Sequence, residues 1–244
     1  MTPATALILF ACWWLPVLLL ALVLKVSGQT ELRWRWFGAA ALAYALYSLA
    51  GHLTLPEGIA SMPAEMRWTS RLVQLAMGSA MIALAWNRHP LLTARGMALT
   101  VRQNPGSLGW SILGVVLLAL LGVLPGGIDP AHAHPPAAPL GWLYHLTLPG
   151  LEEELIYRAL LLSLLAIALG GTRKAIGWAA VMATIVFALA HGIFPDSGKI
   201  GFNLFMIAYT GVAGIILALV RLKSGSLLFP ILGHNLIGLA GRLA

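Results

Sequence analysis

Long apolar runs recur along most of this chain and are separated by short polar segments. A helix that crosses a bilayer needs about 20 mostly apolar residues, because the hydrocarbon core is about 30 Å thick. Lipid offers no partner for backbone N–H and C=O groups, so such runs form helices, which satisfy these groups internally. Eight segments meet this requirement: residues 4–24, 37–55, 69–86, 107–124, 140–169, 174–194, 200–220 and 226–243. We therefore predict an all-α fold, a polytopic transmembrane helix bundle of about eight spans.

The fifth segment, residues 140–169, is too long for a simple span and contains the pair Pro149-Gly150. Proline lacks a backbone N–H, and its ring collides with the carbonyl of the preceding turn. We therefore expect a kink or a break at this point. Residues 140–148 would then form a separate interfacial or re-entrant piece, with the membrane helix beginning near Pro149.

Composition supports a membrane protein and disfavours other classes. The chain of 244 residues is 59% hydrophobic and 9% charged, whereas soluble domains have about 25% charged residues. Its net charge of +7 does not indicate a nucleic-acid partner, because the basic residues are scattered over short loops. The single cysteine, Cys12, excludes an intrachain disulfide and a cysteine-rich metal site. The first apolar run has no preceding basic residue and no small-residue cleavage site, which indicates a first span rather than a signal peptide.

The basic residues also predict an orientation. Ten of them fall in the odd-numbered loops: Lys25, Arg33, Arg35, Arg88, Arg95, Arg102, Arg173, Lys174, Arg221 and Lys223. The opposite side has four basic residues, Arg67, Arg71, Lys199 and Arg242, and four acidic ones, Glu57, Glu65, Asp129 and Asp196. Basic loops stay in the cytoplasm. We therefore predict a multi-pass protein of a bacterial inner membrane with both termini outside.

Four ionisable residues interrupt the fifth apolar segment: Glu152, Glu153, Glu154 and Arg158. Charges at membrane depth are costly, face the bundle interior and mark functional sites by default. On a helix, Glu154 and Arg158 share a face and can pair, whereas Glu153 points about 100° away. Neighbouring carboxylates with different surroundings can take different roles. We interpret Glu152 as a helix-start acid, Glu154 as the partner of Arg158, and Glu153 as a general base.

Two histidines in later apolar segments give Glu153 partners. His191 lies four residues after Phe187 on the same helix face, and His234 lies in the last segment, followed by Asn235. We interpret His52, His89 and His145 as interfacial or structural. The segment 125–139 is predicted to be a stiff external connector, and its pair His132 and His134 is weak support for a metal site.

These residues resemble three motifs of the CAAX protease and bacteriocin-processing family (CPBP, or ABI), whose members are intramembrane glutamic proteases. The motifs are Glu153-Glu154-x-x-x-Arg158, Phe187-x-x-x-His191 and the terminal His234, which follows the lead-in Gly-Ser-Leu-Leu-Phe-Pro at residues 225–230. The resemblance covers residues 140–243, and the first four spans carry no motif. We therefore divide the chain into an N-terminal four-span region, 1–139, and a catalytic helical core, 140–244.

The resemblance also implies roles for individual residues. Glu153 and His191 would activate a water molecule, His234 would stabilise the oxyanion together with an amide, and Glu154 and Arg158 would form an orienting pair. The family usually has Asn or Asp four residues after the last histidine, where this chain has Gly238. We include Asn235 among the catalytic candidates as the amide adjacent to the histidine; Asn203 is another amide in the preceding span.

The predicted function is metal-independent hydrolysis of a peptide bond, without a cofactor. The expected partners are the lipid bilayer and a membrane protein or lipid-associated peptide as substrate, such as an exported protein with a C-terminal sorting signal. A zinc-dependent intramembrane protease is one alternative, because Glu153, His191 and His234 make a His₂Glu set, although His-Glu-x-x-His spacing is absent. The other alternative is a proton-coupled transporter or scaffold, in which Glu and His form a relay.

Overall fold

The computed structural model describes residues 3–51, 68–128, 139–196 and 199–243. Most of this part is helical, and the predicted all-α helical bundle is confirmed. The helices are α1 Pro3–Val26, α2 Trp34–Ala50, α3 Trp68–Ala85, α4 Leu108–Ile128, α5 Pro139–Glu154, a π-helix Leu155–Leu161, α6 Leu162–Ala168, α7 Arg173–Gly192, α8 Leu204–Ser224 and α9 Leu228–Leu243. Three stretches among the described residues are long and apolar enough to cross a membrane: Ala4–Val26, Arg173–Gly192 and Leu204–Ser224. The number of eight spans stays a prediction.

A short β-hairpin joins α7 to α8. Strand β1, Ile193–Asp196, pairs antiparallel with strand β2, Lys199–Phe202, and Ile193 lies opposite Phe202. The predicted spans 174–194 and 200–220 included parts of both strands, so their helical assignment there is wrong. The apolar character of these residues is real, but they satisfy their backbone groups across the hairpin rather than along a helix.

The centre of the bundle is the continuous helical segment formed by α5, the π-helix and α6. Every residue from Ile156 to Leu169 is buried, as expected of a helix that is apolar on all sides. Helices α2 and α7 pack against α6, while α5 packs against α3 and α9. The segment that carries the acidic residues is therefore enclosed by both halves of the chain.

The predicted break at Pro149 is wrong, and so are the separate piece at residues 140–148 and the interpretation of Glu152 as a helix-start acid, because Glu152 lies near the end of α5. Helix α5 continues through Pro149, and an amide from α9 replaces the backbone hydrogen bonding that proline disturbs. The Gly150 N–H donates to Asn235 Oδ1 at 2.7 Å, and Asn235 Nδ2 donates to the carbonyls of Leu146 at 3.0 Å and Thr147 at 3.2 Å. In an uninterrupted helix the Gly150 N–H would bond to the Leu146 carbonyl. The Asn235 side chain is thus inserted into the helical ladder.

The lead-in to the last histidine fixes the start of α9. Gly225 ends α8 in the left-handed conformation, with φ at 68° and its N–H bonded to the Arg221 carbonyl at 2.9 Å, which favours glycine at this position. The Leu227 N–H then donates to the Ala98 carbonyl at 3.0 Å, and the Ser226 hydroxyl donates to the Thr100 carbonyl. These bonds tie α9 to the loop after α3 and set the position of His234 along the bundle.

Candidate active site

All four charged residues of the central segment are buried. The exposed fraction is 1% for Glu152, 3% for Glu153, 0% for Glu154 and 1% for Arg158. Glu154 and Arg158 form the expected pair, with Oε1 and Nη1 2.9 Å apart. The π-helix begins directly after Glu154, and such irregular turns are frequent at functional sites. The prediction that these charges face the bundle interior is therefore matched by their geometry.

The two histidines meet at Glu153. Nε2 of His191 and Nε2 of His234 each lie 3.6 Å from Glu153 Oε2. The opposite ring nitrogens are occupied: His191 Nδ1 is 2.8 Å from the Phe187 carbonyl, and His234 Nδ1 is 2.8 Å from Glu154 Oε1. A carbonyl and a carboxylate accept hydrogen bonds, so Nδ1 carries the proton in each neutral ring. Both Nε2 atoms then present lone pairs toward Glu153.

Phe187 connects three of these groups. Its ring centroid is 4.4 Å from that of His191 and 5.9 Å from that of His234, and the Arg158 guanidinium lies over the same ring at 4.3 Å. A cation over an aromatic face is attracted by the ring quadrupole. Phe187 therefore packs against both histidine rings and covers the buried arginine. These contacts require an aromatic side chain four positions before His191.

Sequence reasoning missed Arg71, which reaches the site from α3. Its Nη1 lies 2.6 Å from Glu152 Oε2 and 2.5 Å from Glu153 Oε1. In the sequence, Arg71 stands out only as a basic residue on the sparsely charged side. Charge balance could have indicated a second cation near the glutamates, because three buried carboxylates with Arg158 alone leave an excess of two negative charges.

The asparagine candidates have backbone partners. Asn235 is 4% exposed, and both its amide oxygen and its amide nitrogen form hydrogen bonds with the backbone of α5. Asn203 is the N-cap of α8, where its Oδ1 accepts the Met206 N–H at 3.0 Å. Gly238 lines the cavity next to the site without a side chain to offer. The catalytic assignment of Asn235 stays a prediction, and its geometry favours a positioning role.

A cavity of about 330 Å³ adjoins the histidines. It lies toward the end of the bundle where α3, α5 and α8 begin and where α7 and α9 end. Its walls come from five helices and comprise Arg71, Tyr144, His145, Pro149, Phe187, His191, Met206, Tyr209, Thr210, Ala213, Leu217, His234, Asn235, Ile237, Gly238 and Arg242. A largely apolar cavity with a few convergent polar groups is the usual form of a ligand site.

The other histidines stand apart from this arrangement or lie outside the described residues. His89 caps a turn, with Nδ1 accepting the Leu91 N–H at 3.1 Å, and His145 lines the cavity with its ring centroid 4.9 Å from that of Tyr144. The predicted connector 125–139 is wrong at both ends, because residues 125–128 belong to α4 and Pro139 begins α5. His132 and His134 lie outside the described residues, as does His52. Within the described ranges, no group of three or more His, Cys, Asp or Glu side chains is arranged to hold a metal ion.

A buried carboxylate facing two histidines inside an apolar helical bundle is an arrangement that can carry out acid–base chemistry. Residues 135–240 match the model of the family described as type II CAAX prenyl endopeptidase Rce1-like. This range holds Glu153, Arg158, Phe187, His191 and His234 and amounts to somewhat less than half of the chain.

The match confirms the predicted resemblance to the CPBP family and the predicted enzyme class, a hydrolase of the CAAX endopeptidase type. Together with the long apolar helices, it supports an integral membrane protein that acts on protein substrates in the bilayer. Neither a curated protein nor a solved structure matches the chain.

Proposed function

We propose that this protein is a metal-independent glutamic endopeptidase in which Glu153 is the general base. One observation carries the proposal. Glu153 Oε2 is a buried oxygen without a hydrogen-bond partner, and it lies 3.6 Å from Nε2 of both His191 and His234. A separation of 3.6 Å is too long for a direct hydrogen bond, and it is short enough for a water molecule to bridge Glu153 Oε2 to a histidine Nε2.

The protonation of the histidines supports this reading. Glu153 Oε2 and the two Nε2 atoms are acceptors when both rings are neutral, so the group that joins them must donate. Water has two protons to donate and an oxygen lone pair left for attack. His191 and Glu153 together would orient this water toward a substrate carbonyl in the adjoining cavity, which is how positioned bases accelerate hydrolysis.

The reaction then proceeds in two proton-balanced steps. Glu153 Oε2 takes a proton from water as the water oxygen bonds to the peptide carbonyl carbon, and the carbonyl electron pair moves to its oxygen. In the substrate complex His234 takes up one solvent proton at Nε2 and donates a hydrogen bond from it to this oxyanion, while Glu154 accepts from Nδ1 and stabilises the imidazolium; the proton returns to solvent when the products leave. Glu153 next delivers its proton to the amide nitrogen as the C–N bond breaks. The products are a carboxylic acid and an amine.

A comparison of peptide ends in membranes tests this function. Membranes with the wild-type protein should contain new peptide termini that are absent from membranes with the Glu153→Gln variant at equal expression. The same preparations are given a farnesylated CAAX-type reporter peptide, since the family description names prenyl substrates. Identical termini and equal reporter cleavage in both membranes would exclude Glu153 as the base.

We further propose that the cavity faces the outer side of the membrane, which favours exported or membrane-anchored substrates such as C-terminal sorting signals. The cavity lies at the end of α7 next to the β-hairpin, while the cluster of basic loops lies beyond the other ends of the same helices. Basic loops stay in the cytoplasm, so the cavity would open away from it.

Cysteine labelling at the two ends of α7 tests this orientation. In a Cys12→Ser background, Asp196→Cys should react with a membrane-impermeant maleimide added to intact cells, because Asp196 is exposed on the hairpin. Arg173→Cys, exposed at the start of α7, is the matched control and should react only after lysis. The reverse pattern would place the cavity on the cytoplasmic side and favour prenylated cytoplasmic substrates.

Chelation separates this mechanism from a zinc protease. We expect 1,10-phenanthroline to leave the rate of reporter cleavage unchanged, because the proposed base and oxyanion donor are protein side chains. The non-chelating isomer 1,7-phenanthroline is the control for nonspecific inhibition. Loss of activity with the chelating isomer alone, restored by added zinc, would support the His₂Glu zinc alternative.

A further inference from the structure

We infer that Arg71 is a positioning residue for the Glu153 carboxylate, supplied by the N-terminal half of the chain. This inference rests on the proposed function of Glu153. Helix α3, which carries Arg71, packs against both α5 and the π-helix. Arg71 Nη1 reaches Glu153 Oε1 at 2.5 Å, and Arg71 is a quarter exposed toward the cavity while the carboxylate is buried.

The contact fixes the plane of the Glu153 carboxylate, so that one of its two equivalent oxygens faces the histidines. The terminal torsion of a glutamate side chain is broad and has no strongly preferred orientation of its own. Arg71 holds Oε1, so Oε2 remains directed at the Nε2 atoms of His191 and His234. Rotation of the carboxylate to an intermediate angle would break the contact with Arg71, whereas a half-turn restores the same arrangement because the two oxygens are equivalent. The base is therefore held in the orientation from which it can take a proton.

The same nitrogen also contacts the neighbouring acid. Arg71 Nη1 is 2.6 Å from Glu152 Oε2, so one cationic atom serves two buried carboxylates. The cluster of Glu152, Glu153, Glu154, Arg71 and Arg158 carries one net negative charge, and loss of Arg71 would leave two. Removal of one partner from a buried ion pair is strongly destabilising. An experiment must therefore separate the orientation of Glu153 from the charge balance of the cluster.

Three variants make this separation. Arg71→Gln removes the cation, Arg71→Lys keeps it, and Arg71→Gln with Glu152→Gln removes one charge of each sign. We expect Arg71→Gln to lower kcat about 10²-fold, the cost of a misplaced catalytic group, with a much smaller change in KM. Because one nitrogen makes both contacts, a lysine ammonium can replace it, and Arg71→Lys should recover most of the lost kcat.

The double variant decides the role of Arg71. Its charge balance equals that of the wild type, so its Tm in detergent should recover, whereas its kcat should stay low because Glu153 is no longer held. Recovery of both kcat and Tm would mean that Arg71 only balances the charge of Glu152, and it would overturn the inference. Wild-type kcat in Arg71→Gln, or an Arg71→Lys variant as inactive as Arg71→Gln, would overturn it as well.

The Glu153→Gln variant distinguishes a failure of this inference from a failure of the proposed function. It is measured on the same reporter peptide or on the peptide found by end profiling. An active Glu153→Gln variant contradicts the function itself. An inactive Glu153→Gln variant beside a fully active Arg71→Gln variant contradicts only the role of Arg71.

Discussion

Replacement of Glu153 with glutamine should lower kcat for peptide cleavage by about 10²–10⁴-fold, the usual contribution of a general base. Glutamine has nearly the same shape as glutamate and still offers an oxygen to Arg71, but its amide cannot take a proton from water. The loss should appear in kcat rather than KM, because the change affects the transition state more than the bound substrate.

The same variant should not be less stable than the wild type. The buried cluster has three carboxylates and two arginines, so removal of one carboxylate charge balances it. We therefore expect the Tm of Glu153→Gln in detergent to equal or exceed that of the wild type. Active sites commonly retain such destabilising charges because function requires them.

Glu152→Gln is the matched control, since it removes the same charge one residue earlier. Glu152 lies next to Arg71 and makes no contact with either histidine among the described residues. This variant should lose far less activity than Glu153→Gln and gain a similar amount in Tm. Equal loss of kcat in the two variants would mean that the total charge of the cluster, rather than a base at position 153, controls the rate.

Much of the fold follows from the length of the apolar runs. A run of about 20 apolar residues has few alternatives to a helix in a bilayer, and the helices found agree with the segments read from the sequence. The errors occurred where distant residues determine the backbone. The hairpin depends on pairing of Ile193–Asp196 with Lys199–Phe202, and the helix at Pro149 depends on Asn235, which lies 85 positions after Gly150.

The contacts of the site also divide into those predicted by local spacing and those made by distant residues. Glu154 and Arg158 are four residues apart on one segment, so helical periodicity alone predicts their contact. The resemblance to the CPBP family, rather than helical periodicity, predicts one site for Glu153, His191 and His234, because these residues lie on three separate segments. Arg71 lies 82 residues from Glu153 and has no acidic neighbour on its own helix, so no local pattern indicates its partner.

Replacement of Asn235 with alanine should destabilise the protein because it removes the amide that completes the α5 ladder at Pro149. The Gly150 N–H and the Leu146 carbonyl would lose their partners, and each buried polar group left unpaired costs about 1–3 kcal/mol. The close packing of α9 on this turn requires glycine at position 150, since a Cβ there would lie 2.6 Å from the Ile231 carbonyl and 2.7 Å from Asn235 Oδ1. We expect a lower Tm together with a lower kcat, because α5 carries Glu153 one turn later.

A double-mutant cycle with Pro149→Ala determines the mechanism of this loss. Without the proline ring the turn can close, and the Gly150 N–H can bond to the Leu146 carbonyl as in a regular helix. The effect of Asn235→Ala on Tm and kcat should then shrink, with a coupling energy of about 0.5–3 kcal/mol, as found for residues in one hydrogen-bond network.

An oxyanion role for Asn235 gives a different result. The loss would be about 10²–10³-fold in kcat, the usual cost of one oxyanion donor, and it would be the same with or without Pro149.

Asn203→Ala is the control for loss of an asparagine side chain: it removes the N-cap of α8 at a cost of about 1 kcal/mol. Its effect should add to that of Pro149→Ala without coupling, because Asn203 has no contact with α5 among the described hydrogen bonds. Strong coupling for Asn235 and none for Asn203 would assign the Asn235 amide to the helix, and with it the geometry that aligns Glu153 and His234.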